Sequence, residues 1–290
     1  MSELSGKGCE ILVPFDERKP LNEIERSIVK TYKKRIWSKF IRAIKDYNLI
    51  EEGDKIAVAI SGGKDSLLMA KLFQELLKHK KMEFQVEFIA MDPGYHESIR
   101  TLLEDNLKYL GIDAHIFNAD IFEVAEKIAQ DYPCYMCAKM RRGVLYSKAK
   151  ELGCNKLALG HHYNDVIETT MLNILYAGNF KTMVPKLKAD NFENMELIRP
   201  LYYIEEKSIK NFIQSSGIWP LNCACMISAK KTGNKRYEIK EMIENLKKTF
   251  NDVDKSIFNA ARNVNMDSIL GWEKSGIKHS FLEEYEKDNE

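Results

Sequence analysis

The sequence lacks an excess of charge of either sign, since 44 Lys and Arg residues stand against 43 Asp and Glu. A formal net charge of +1 excludes a general polycation, so a nucleic-acid partner must be held by local basic patches. The 15 glycines and 7 prolines among 290 residues argue against a low-complexity or disordered chain. No apolar run approaches the roughly 20 residues of a membrane-spanning helix, and the N-terminus lacks an apolar stretch of signal-peptide length. We therefore expect a globular cytoplasmic protein with no membrane association.

The apolar residues indicate an alternation of short strands and longer helices. Continuous apolar runs between turn signals predict buried strands, and apolar residues three or four positions apart predict helices. The predicted strands are residues 55–60, 84–91, 114–117 and 156–159. The predicted helices are residues 64–79, 97–110, 121–130, 141–152 and 165–176. This order predicts an α/β fold with right-handed βαβ units and a doubly wound parallel sheet.

Two flanking segments are expected beside this sheet. Helical spacing of apolar residues predicts one long helix over residues 21–48, and the pattern after about residue 201 is mostly helical. The expected organisation is an N-terminal helical segment (1–50), a central α/β domain (51–225) and a C-terminal helical extension with an acidic tail (226–290).

The sequence SGGKDS at residues 61–66 directly follows a predicted strand and opens a helix. Two glycines permit a tight turn and close backbone approach, and the first amides of a helix point at a bound anion. Ser61 and Ser66 add hydroxyl donors, and Lys64 adds a positive charge. The alternative is an ordinary Gly-Gly turn with a capping serine, but ligands bind at the carboxyl ends of such strands. We therefore predict a nucleotide site outside the P-loop NTPases, because GxxxxGK[ST] is absent.

Six cysteines are present, at positions 9, 134, 137, 154, 223 and 225. Cytoplasmic thiols are kept reduced, so a disulfide framework is not expected. The spacings Cys134-x-x-Cys137 and Cys223-x-Cys225 are tight enough for metal ligation. Three interpretations stay open: an iron–sulfur cluster, a structural zinc held by four cysteines, and a redox dithiol; the local spacing slightly favours zinc. The isolated Cys154 is expected to be a buried structural thiol.

The segment GHHYND at residues 160–165 ends a predicted strand and enters a helix. Its two histidines and Asp165 have side chains that bind metals, bind nucleotides or act as acid and base. The structural alternative is a helix cap formed by Asn164 or Asp165 beside a partly exposed histidine.

Together these segments resemble the tRNA 2-thiocytidine biosynthesis protein family, a group of cluster-dependent tRNA thiolases within the PP-loop ATP pyrophosphatases. SGGKDS (61–66) is similar to the PP-loop fingerprint. CYMCAKMRRGVLYSKAKELGCNKLALGHHYND (134–165), LNILYAGNFKTMVPKL (172–187) and LIRPL (197–201) continue the resemblance, which extends over about residues 30–265. It implies a PP-loop fold of the adenine nucleotide alpha hydrolase-like type and an enzyme that splits ATP to AMP and pyrophosphate.

The resemblance implies a role for each cysteine pair. Cys134 and Cys137 match two ligands of a [4Fe–4S] cluster, and the third ligand matches Cys225 or Cys223, with Cys225 slightly favoured. Three cysteine ligands leave one iron open, where an exogenous sulfide can bind. The third cysteine of the family lies in a Pro-Cys-x-x-Cys setting, whereas this chain has PLNCAC at residues 220–225.

The resemblance also implies catalytic and ATP-binding residues. Asp165 matches the second Asp of the family's GHHxDD, whose first Asp is Asn164 in this chain, and Arg141 matches a basic position near the reacting base. Lys64 is expected to act both in catalysis and in ATP binding. The full set of expected ATP-binding residues is Ser61, Gly62, Gly63, Lys64, Asp65, Ser66, Gly160 and His161.

The implied reaction is adenylation of the C2 oxygen of a tRNA cytidine, at position 32, followed by replacement with sulfur to give 2-thiocytidine. Its implied cofactors are the cluster, ATP and Mg²⁺. The implied partners are tRNA and a cysteine desulfurase or other sulfide donor, and a homodimer is compatible. Three alternatives stay open: a thiolase for 2-thiouridine or a small molecule, an amine-transferring PP-loop ligase with a structural zinc, and a non-enzymatic ATP-binding module.

Basic residues near the first cysteine pair are the favoured tRNA contacts. Lys139, Arg141 and Arg142 adjoin it in the sequence, whereas runs such as Lys235-Arg236 are also explained as solvated helix faces.

Overall fold

The computed structural model describes residues 18–79, 82–119, 121, 133–221 and 235–287, without the side chains of 133–138, 284, 286 and 287. The N-terminal segment consists of α1 (Leu21–Val29), a π-helical turn (Lys33–Trp37) and α2 (Ser38–Asp46). The central strands are β1 (Lys55–Ile60), β2 (Gln85–Asp92), β3 (Ala114–Asn118), β4 (Lys156–Ala158), β5 (Lys186–Lys188) and β6 (Glu196–Ile198). The helices between and after them are α3 (Lys64–Lys78), α4 (Glu97–Tyr109), α5 (Pro133–Glu151), α6 (Tyr163–Ala177) and α7 (Glu206–Ser216).

The six strands form one sheet in the order β3-β2-β1-β4-β6-β5. All neighbouring pairs are parallel except β5 with β6. The predicted doubly wound α/β fold is therefore confirmed, with one antiparallel edge strand. The strand order changes direction between β1 and β4, and ligands of open α/β sheets bind outside the carboxyl ends of the strands at such a point.

The two faces of β1 carry side chains of different size. Ile56, Val58 and Ile60 belong to the larger apolar cluster, which also contains the N-terminal helices, α3 and α4. Ala57 and Ala59 face the smaller cluster, which includes residues of α5. Each isoleucine buried in this way contributes about 1.5–3 kcal/mol to folding. The alanines leave room for α5 to lie close to the sheet, which brings its side chains to the edge of β1.

The N-terminal segment departs from the single helix predicted over 21–48. The chain leaves the α-helix at Lys30, and the π-helical turn follows before α2 begins. Ile24, Ile28, Ile36 and Phe40 are all buried, so the interruption keeps the apolar stripe on the core. A π-helical turn of this kind adds a residue without ending the helical path.

Helix α5 begins earlier than the sequence predicts. The prediction placed its start at Arg141, after the first cysteine pair, whereas the helix starts at Pro133. Proline is favourable at a first helical position, because the amide it lacks has no partner there. Cys134 and Cys137 therefore lie within the first turns of α5 rather than before it. The predicted helix 121–130 lies outside the described residues from position 122 onward.

The C-terminal part contains α8 (Lys235–Thr249) and α9 (Val253–Ala260), as the helical pattern predicts. It also contains a hairpin of β7 (Gly271–Lys274) and β8 (Ile277–Ser280), followed by α10 (Phe281–Lys287). The hairpin turn has positive φ at Ser275 and Gly276, as a two-residue type I′ turn requires. This hairpin is not among the elements predicted from the sequence.

Candidate active site

A cleft of about 380 Å³ opens at the carboxyl ends of β1 and β4. The predicted catalytic and ATP-binding residues that line it are Ser61, Asp65, Ser66, Arg141, Gly160, His161 and Asp165, and the predicted tRNA contact Arg142 lines it as well. Its lining does not include Gly62, Gly63 or Lys64. Two predicted segments, far apart in the sequence, thus meet at the point where the strand order reverses.

The loop 61–66 is held by hydrogen bonds between its own serines. Ser66 Oγ donates to the Gly63 carbonyl at 2.9 Å and accepts from the Ser61 amide at 3.2 Å. Gly62 has a φ of +77°, and a Cβ there would lie 2.5 Å from Cδ1 of Leu221. Glycine is therefore required at position 62 by both backbone conformation and space. The Leu221 amide also donates to the Gly62 carbonyl at 2.8 Å. This hydrogen bond holds Leu221, which precedes Cys223 by two residues, against the loop 61–66.

Helix α3 begins directly after this loop with no side-chain cap. Its N-cap residue is Gly63, and among the described residues no side chain accepts a hydrogen bond from its first turn. The first amides of a helix have no partner within the helix and carry partial positive charge. This end of α3 therefore suits an anion such as a phosphate group.

Lys64 lies beside the cleft and is engaged by two carboxylates. Its Nζ is 3.0 Å from Oδ2 of Asp65 and 3.3 Å from Oε1 of Glu206. Burial acts to lower the pKa of Lys64, but these two carboxylates outweigh it and raise the pKa above its ordinary value. The lysine is therefore a fixed positive charge next to the loop.

The turn after β4 is the second turn that forms the cleft, after the loop 61–66. It is held by a reciprocal cap between His162 and Asp165. The Asp165 amide donates to Nδ1 of His162, and the His162 amide donates to Oδ2 of Asp165 at 2.9 Å. Burial acts to raise the pKa of Asp165, but the contacts with His162 and the nearby charge of Arg236 outweigh it and hold the pKa below its usual value. Asp165 is thus a carboxylate, and Arg236 Nη1 lies 3.4 Å from its Oδ1.

Glycine at position 160 allows the turn after β4 to approach the loop 61–66 closely. A Cβ on Gly160 would lie 3.3 Å from the Asp65 carbonyl carbon and 3.3 Å from the Ser66 amide nitrogen. His161 follows it, and burial lowers the pKa of His161 to about 4, so the imidazole is neutral. Among the described residues, buried polar atoms without a hydrogen-bond partner include Nδ1 of His161 and Oδ1 of Asp65. Unpaired buried polar atoms are rare in folded proteins, so their presence in the cleft is consistent with a site that binds a polar ligand.

Asn164, where the family pattern has an aspartate, has a structural role. Its Oδ1 accepts the backbone N–H of Glu206 at 2.9 Å, at the first residue of α7. The side-chain amide therefore caps a second helix. The predicted cap of the helix that this segment enters thus involves Asp165, which also lies on the cleft wall, whereas Asn164 serves the start of α7 instead.

Three residues near the cleft were not predicted as site residues. Arg236 was assigned only to a basic run, yet it contacts Asp165 and donates to Oγ1 of Thr169 at 3.0 Å. Glu168 is buried, and burial raises its pKa to about 7 despite the nearby Arg236. Arg199 is buried just after β6, donates to the Val184 carbonyl, and has a pKa lowered to about 10 by burial and by Arg142. The motif LIRPL contains Arg199 and is the sequence signal that could have identified it.

The structure describes only some of the cysteines predicted as ligands. Cys134 and Cys137 lie on the backbone of α5, three residues apart, and Arg141 follows Cys137 by four residues. Cys223 and Cys225 lie outside the described residues. Within the part of the chain that is described, no group of three or more His, Cys, Asp or Glu side chains could hold a metal. Cys154 is buried and its pKa is raised to about 11 by burial, which confirms the predicted structural thiol.

In the described ranges, no helix is both long enough and apolar enough to cross a membrane.

Comparison with known proteins identifies the family. A model of the PP-loop domain matches residues 30–220. A tRNA-cytidine(32) 2-sulfurtransferase of Geotalea uraniireducens (strain Rf4) is 40% identical over 238 residues, which are 81% of this chain and 94% of that protein. One from Delftia acidovorans (strain DSM 14801 / SPH-1) is 36% identical over 271 residues, which are 92% of this chain and 84% of that protein.

Among solved structures, the U34-tRNA thiolase NcsA from Methanococcus maripaludis with its [4Fe–4S] cluster superposes with a TM-score of 0.62. The two proteins are 23% identical, and the match covers 82% of this chain and 80% of that chain, which shows a shared fold. With the PP-loop match over residues 30–220 and relatives at 36–40% identity, the chain belongs to the PP-loop domain family and, within it, to the family of the tRNA-cytidine(32) 2-sulfurtransferases.

Proposed function

We propose that this protein is an ATP-dependent tRNA sulfurtransferase that converts a tRNA cytidine, at position 32, to 2-thiocytidine. The observation that carries the proposal is a single cleft that joins the uncapped start of α3 to the turn bearing Asp165 and to Arg141 on α5. This arrangement supports the proposal, because an uncapped helix start, a carboxylate and a basic side chain surround one space.

The phosphate groups of ATP would lie against the loop 61–66. The first amides of α3 supply N–H donors, the Ser61 hydroxyl would add another on turning away from Ser66, and Lys64 supplies positive charge. Gly62 and Gly63 give the loop its turn, and Gly160 and His161 form the opposite wall. The C2 oxygen of the cytidine attacks the α-phosphorus, and pyrophosphate leaves with its electron pair. Adenylation thus makes the C2 oxygen part of a good leaving group, AMP, which sulfide then displaces.

The carboxylates fit a divalent cation that accompanies ATP. Asp65 and Asp165 both line the cleft, and carboxylate oxygens are the ligands that Mg²⁺ prefers. When bound, Mg²⁺ offsets the charge on the phosphates. Asp165 is proposed to position this metal or the reacting base, and Arg141 to lie near the base.

The donor chemistry of the cysteines fits an iron–sulfur cluster. Cys134 and Cys137, at positions i and i+3 of α5, would supply two thiolates, and Cys225 or Cys223 the third. Leu221 contacts Gly62 of the loop 61–66. Cys223 follows Leu221 by two residues in the sequence, and Cys225 follows it by four. When bound, a cluster with three protein ligands supplies an iron site that can bind sulfide.

The proposed partners follow from this reaction. They are tRNA, held near the cleft by Lys139, Arg141 and Arg142, and a cysteine desulfurase or other sulfide donor, in the cytoplasm. A homodimer is compatible with the proposal.

Metal and sulfide analysis together with product analysis tests the function. Protein would be purified and reconstituted without oxygen, and iron, acid-labile sulfide and zinc would be measured for Cys134→Ala, Cys137→Ala, Cys223→Ala and Cys225→Ala. About four irons per chain are expected in the wild type, lost in the first two variants and in one of the last two. Cys154→Ala is the matched control and should keep the iron, since Cys154 is a buried thiol that belongs to neither cysteine pair.

Product analysis would follow 2-thiocytidine in digested tRNA, with AMP and pyrophosphate formed in equal amounts. Stoichiometric zinc that needs all four cysteines would replace this proposal with the amine-transferring ligase. Thiolation of a uridine in place of the cytidine would change the substrate but keep the chemistry.

A further inference from the structure

The carboxylate of Glu206 connects the loop 61–66 to helices outside the cleft. Oε1 of Glu206 lies 3.3 Å from Nζ of Lys64 and 3.2 Å from Nζ of Lys210. Its Oε2 lies 2.6 Å from Nζ of Lys240 on α8. The Glu206 side chain is only 13% exposed, so these contacts are shielded from solvent more than an ordinary surface ion pair. One acidic side chain therefore holds three lysines from three helices.

The position of Glu206 is itself fixed by the second turn of the cleft. Its backbone N–H donates to Oδ1 of Asn164 at 2.9 Å, and Asn164 lies beside Asp165 in the first turn of α6. Glu206 is thus tied through its backbone to the turn that bears Asp165 and through its side chain to Lys64.

Glu206 remains charged under all ordinary assay conditions. Burial acts to raise its pKa, but Lys240, Lys64 and Lys210 outweigh this and lower the pKa to about 2. The contact with Lys64 is therefore between an ammonium and a carboxylate, the stronger kind of hydrogen-bonded pair.

We propose that Glu206 is a positioning residue that presets the ammonium of Lys64 for the phosphates of ATP. This inference rests on the ATP site proposed above. An ammonium has three N–H donors, and Asp65 and Glu206 accept from at most two, which leaves one for a phosphate oxygen. A free lysine side chain loses rotamer freedom when it binds a ligand, and Glu206 has already ordered it.

Glu206→Gln tests this role, because the change keeps the shape of the side chain and removes its charge. The dissociation constants of ATP and of a non-hydrolysable ATP analogue with Mg²⁺ would be measured by calorimetric titration without tRNA. We expect binding about tenfold weaker, and a KM for ATP that rises about tenfold while kcat stays within about twofold. The matched control is Glu205→Gln, since Glu205 is adjacent and pairs with Lys39 at 2.6 Å instead of Lys64. Its ATP affinity should equal that of the wild type.

A double-mutant cycle separates the positioning role from a general loss of structure. In a Lys64→Met background, Glu206→Gln should weaken ATP binding no further, because the residue through which it acts is gone. An equal loss in both backgrounds would overturn the proposal.

If Glu206→Gln does not fold, as judged by thermal unfolding, Glu206→Asp replaces it. This variant keeps the charge but withdraws the carboxylate by one methylene. It should show a smaller loss of ATP affinity that again disappears in the Lys64→Met background. Wild-type ATP affinity in Glu206→Asp would overturn the inference. The titration needs no tRNA, so it measures the role of Glu206 independently of thiolation. A protein that binds ATP but does not thiolate tRNA would refute the proposed function, and the effect of Glu206 on ATP affinity would still be measured.

Discussion

The two turns that form the cleft start their helices in opposite ways. After β1, the N-cap residue of the helix is Gly63, which provides no side-chain cap. After β4, the N-cap residue of the helix is His162, which forms a reciprocal cap with Asp165. Both turns lie at the carboxyl edge of the same sheet, on neighbouring parallel strands. The difference therefore comes from the residues of the turns and not from their place in the fold.

The difference in capping suits the two turns to different functions. An uncapped helix start leaves its amides for a ligand, so the first turn suits phosphate. A capped start satisfies its amides internally, so the second turn contributes side chains. Asp165 is held in one orientation by the cap and kept ionised by its neighbours. The first turn would thus bind the phosphate groups of ATP, and the second turn would position the reacting groups.

The largest expected effect comes from removing the charge of the second turn. Asp165→Asn retains an oxygen for the His162 amide but loses the negative charge opposite Arg236. We expect kcat for 2-thiocytidine formation to fall at least about 100-fold, with the ATP dissociation constant changed less than about threefold. The control is Asp252→Asn, an exposed carboxylate that pairs with Lys255 three residues away. Full activity in Asp165→Asn would remove the proposed role of Asp165 and the division between the turns.

An intermediate effect is expected from adding a methyl group to the first turn. Gly62→Ala would place a Cβ 2.5 Å from Leu221 at a φ of +77°. The free energy of unfolding should fall by about 2–4 kcal/mol, because strain and overpacking add, and ATP binding should weaken.

Gly53→Ala isolates the strain from the overpacking. Gly53 has a φ of +82°, but among the described residues no neighbouring atom lies within 4 Å of the added Cβ. Its unfolding free energy should fall by about 1 kcal/mol, with unchanged ATP affinity. Equal losses in the two variants, measured by urea denaturation, would mean that the contact between Leu221 and the loop is unimportant.

The smallest effect is expected at Asn164. Asn164→Ala removes the cap of α7 and should lower the unfolding free energy by about 1 kcal/mol. Asn164→Asp keeps an acceptor at a helix start and should be close to neutral, with unchanged activity. A strong gain or loss of activity in Asn164→Asp would show that the charge at this position matters to the chemistry and that its role is more than structural.

Much of the central fold follows from the sequence because its signals are local. Runs such as Lys55–Ile60 are apolar throughout, and helices such as Lys64–Lys78 and Tyr163–Ala177 begin and end close to the predicted positions. Strands β5 and β6 were missed because each has only three residues and begins or ends on a charged residue outside any continuous apolar run, whereas β4 leads into the apolar run 157–159. The break between α1 and α2 was missed because the apolar spacing continues through it.

The site shows the same limit at the level of single residues. Ser61, Asp65, Ser66, His161 and Asp165 stand in compact motifs, so the sequence names them and the cleft contains them. Arg236 and Glu206 are surrounded by ordinary helical sequence, and only their contacts with Asp165 and Lys64 distinguish them.

The sequence by itself determined the alternation of strands and helices, the glycine-dependent turn after β1 and the residue types at the two strand ends, since each depends on neighbours along the chain. Only the tertiary structure decided that Leu221 closes against Gly62, that Asn164 caps α7 and that Glu206 holds Lys64. These contacts join residues from about 40 to 160 positions apart. Their formation depends on how the layers pack, and no local pattern encodes that.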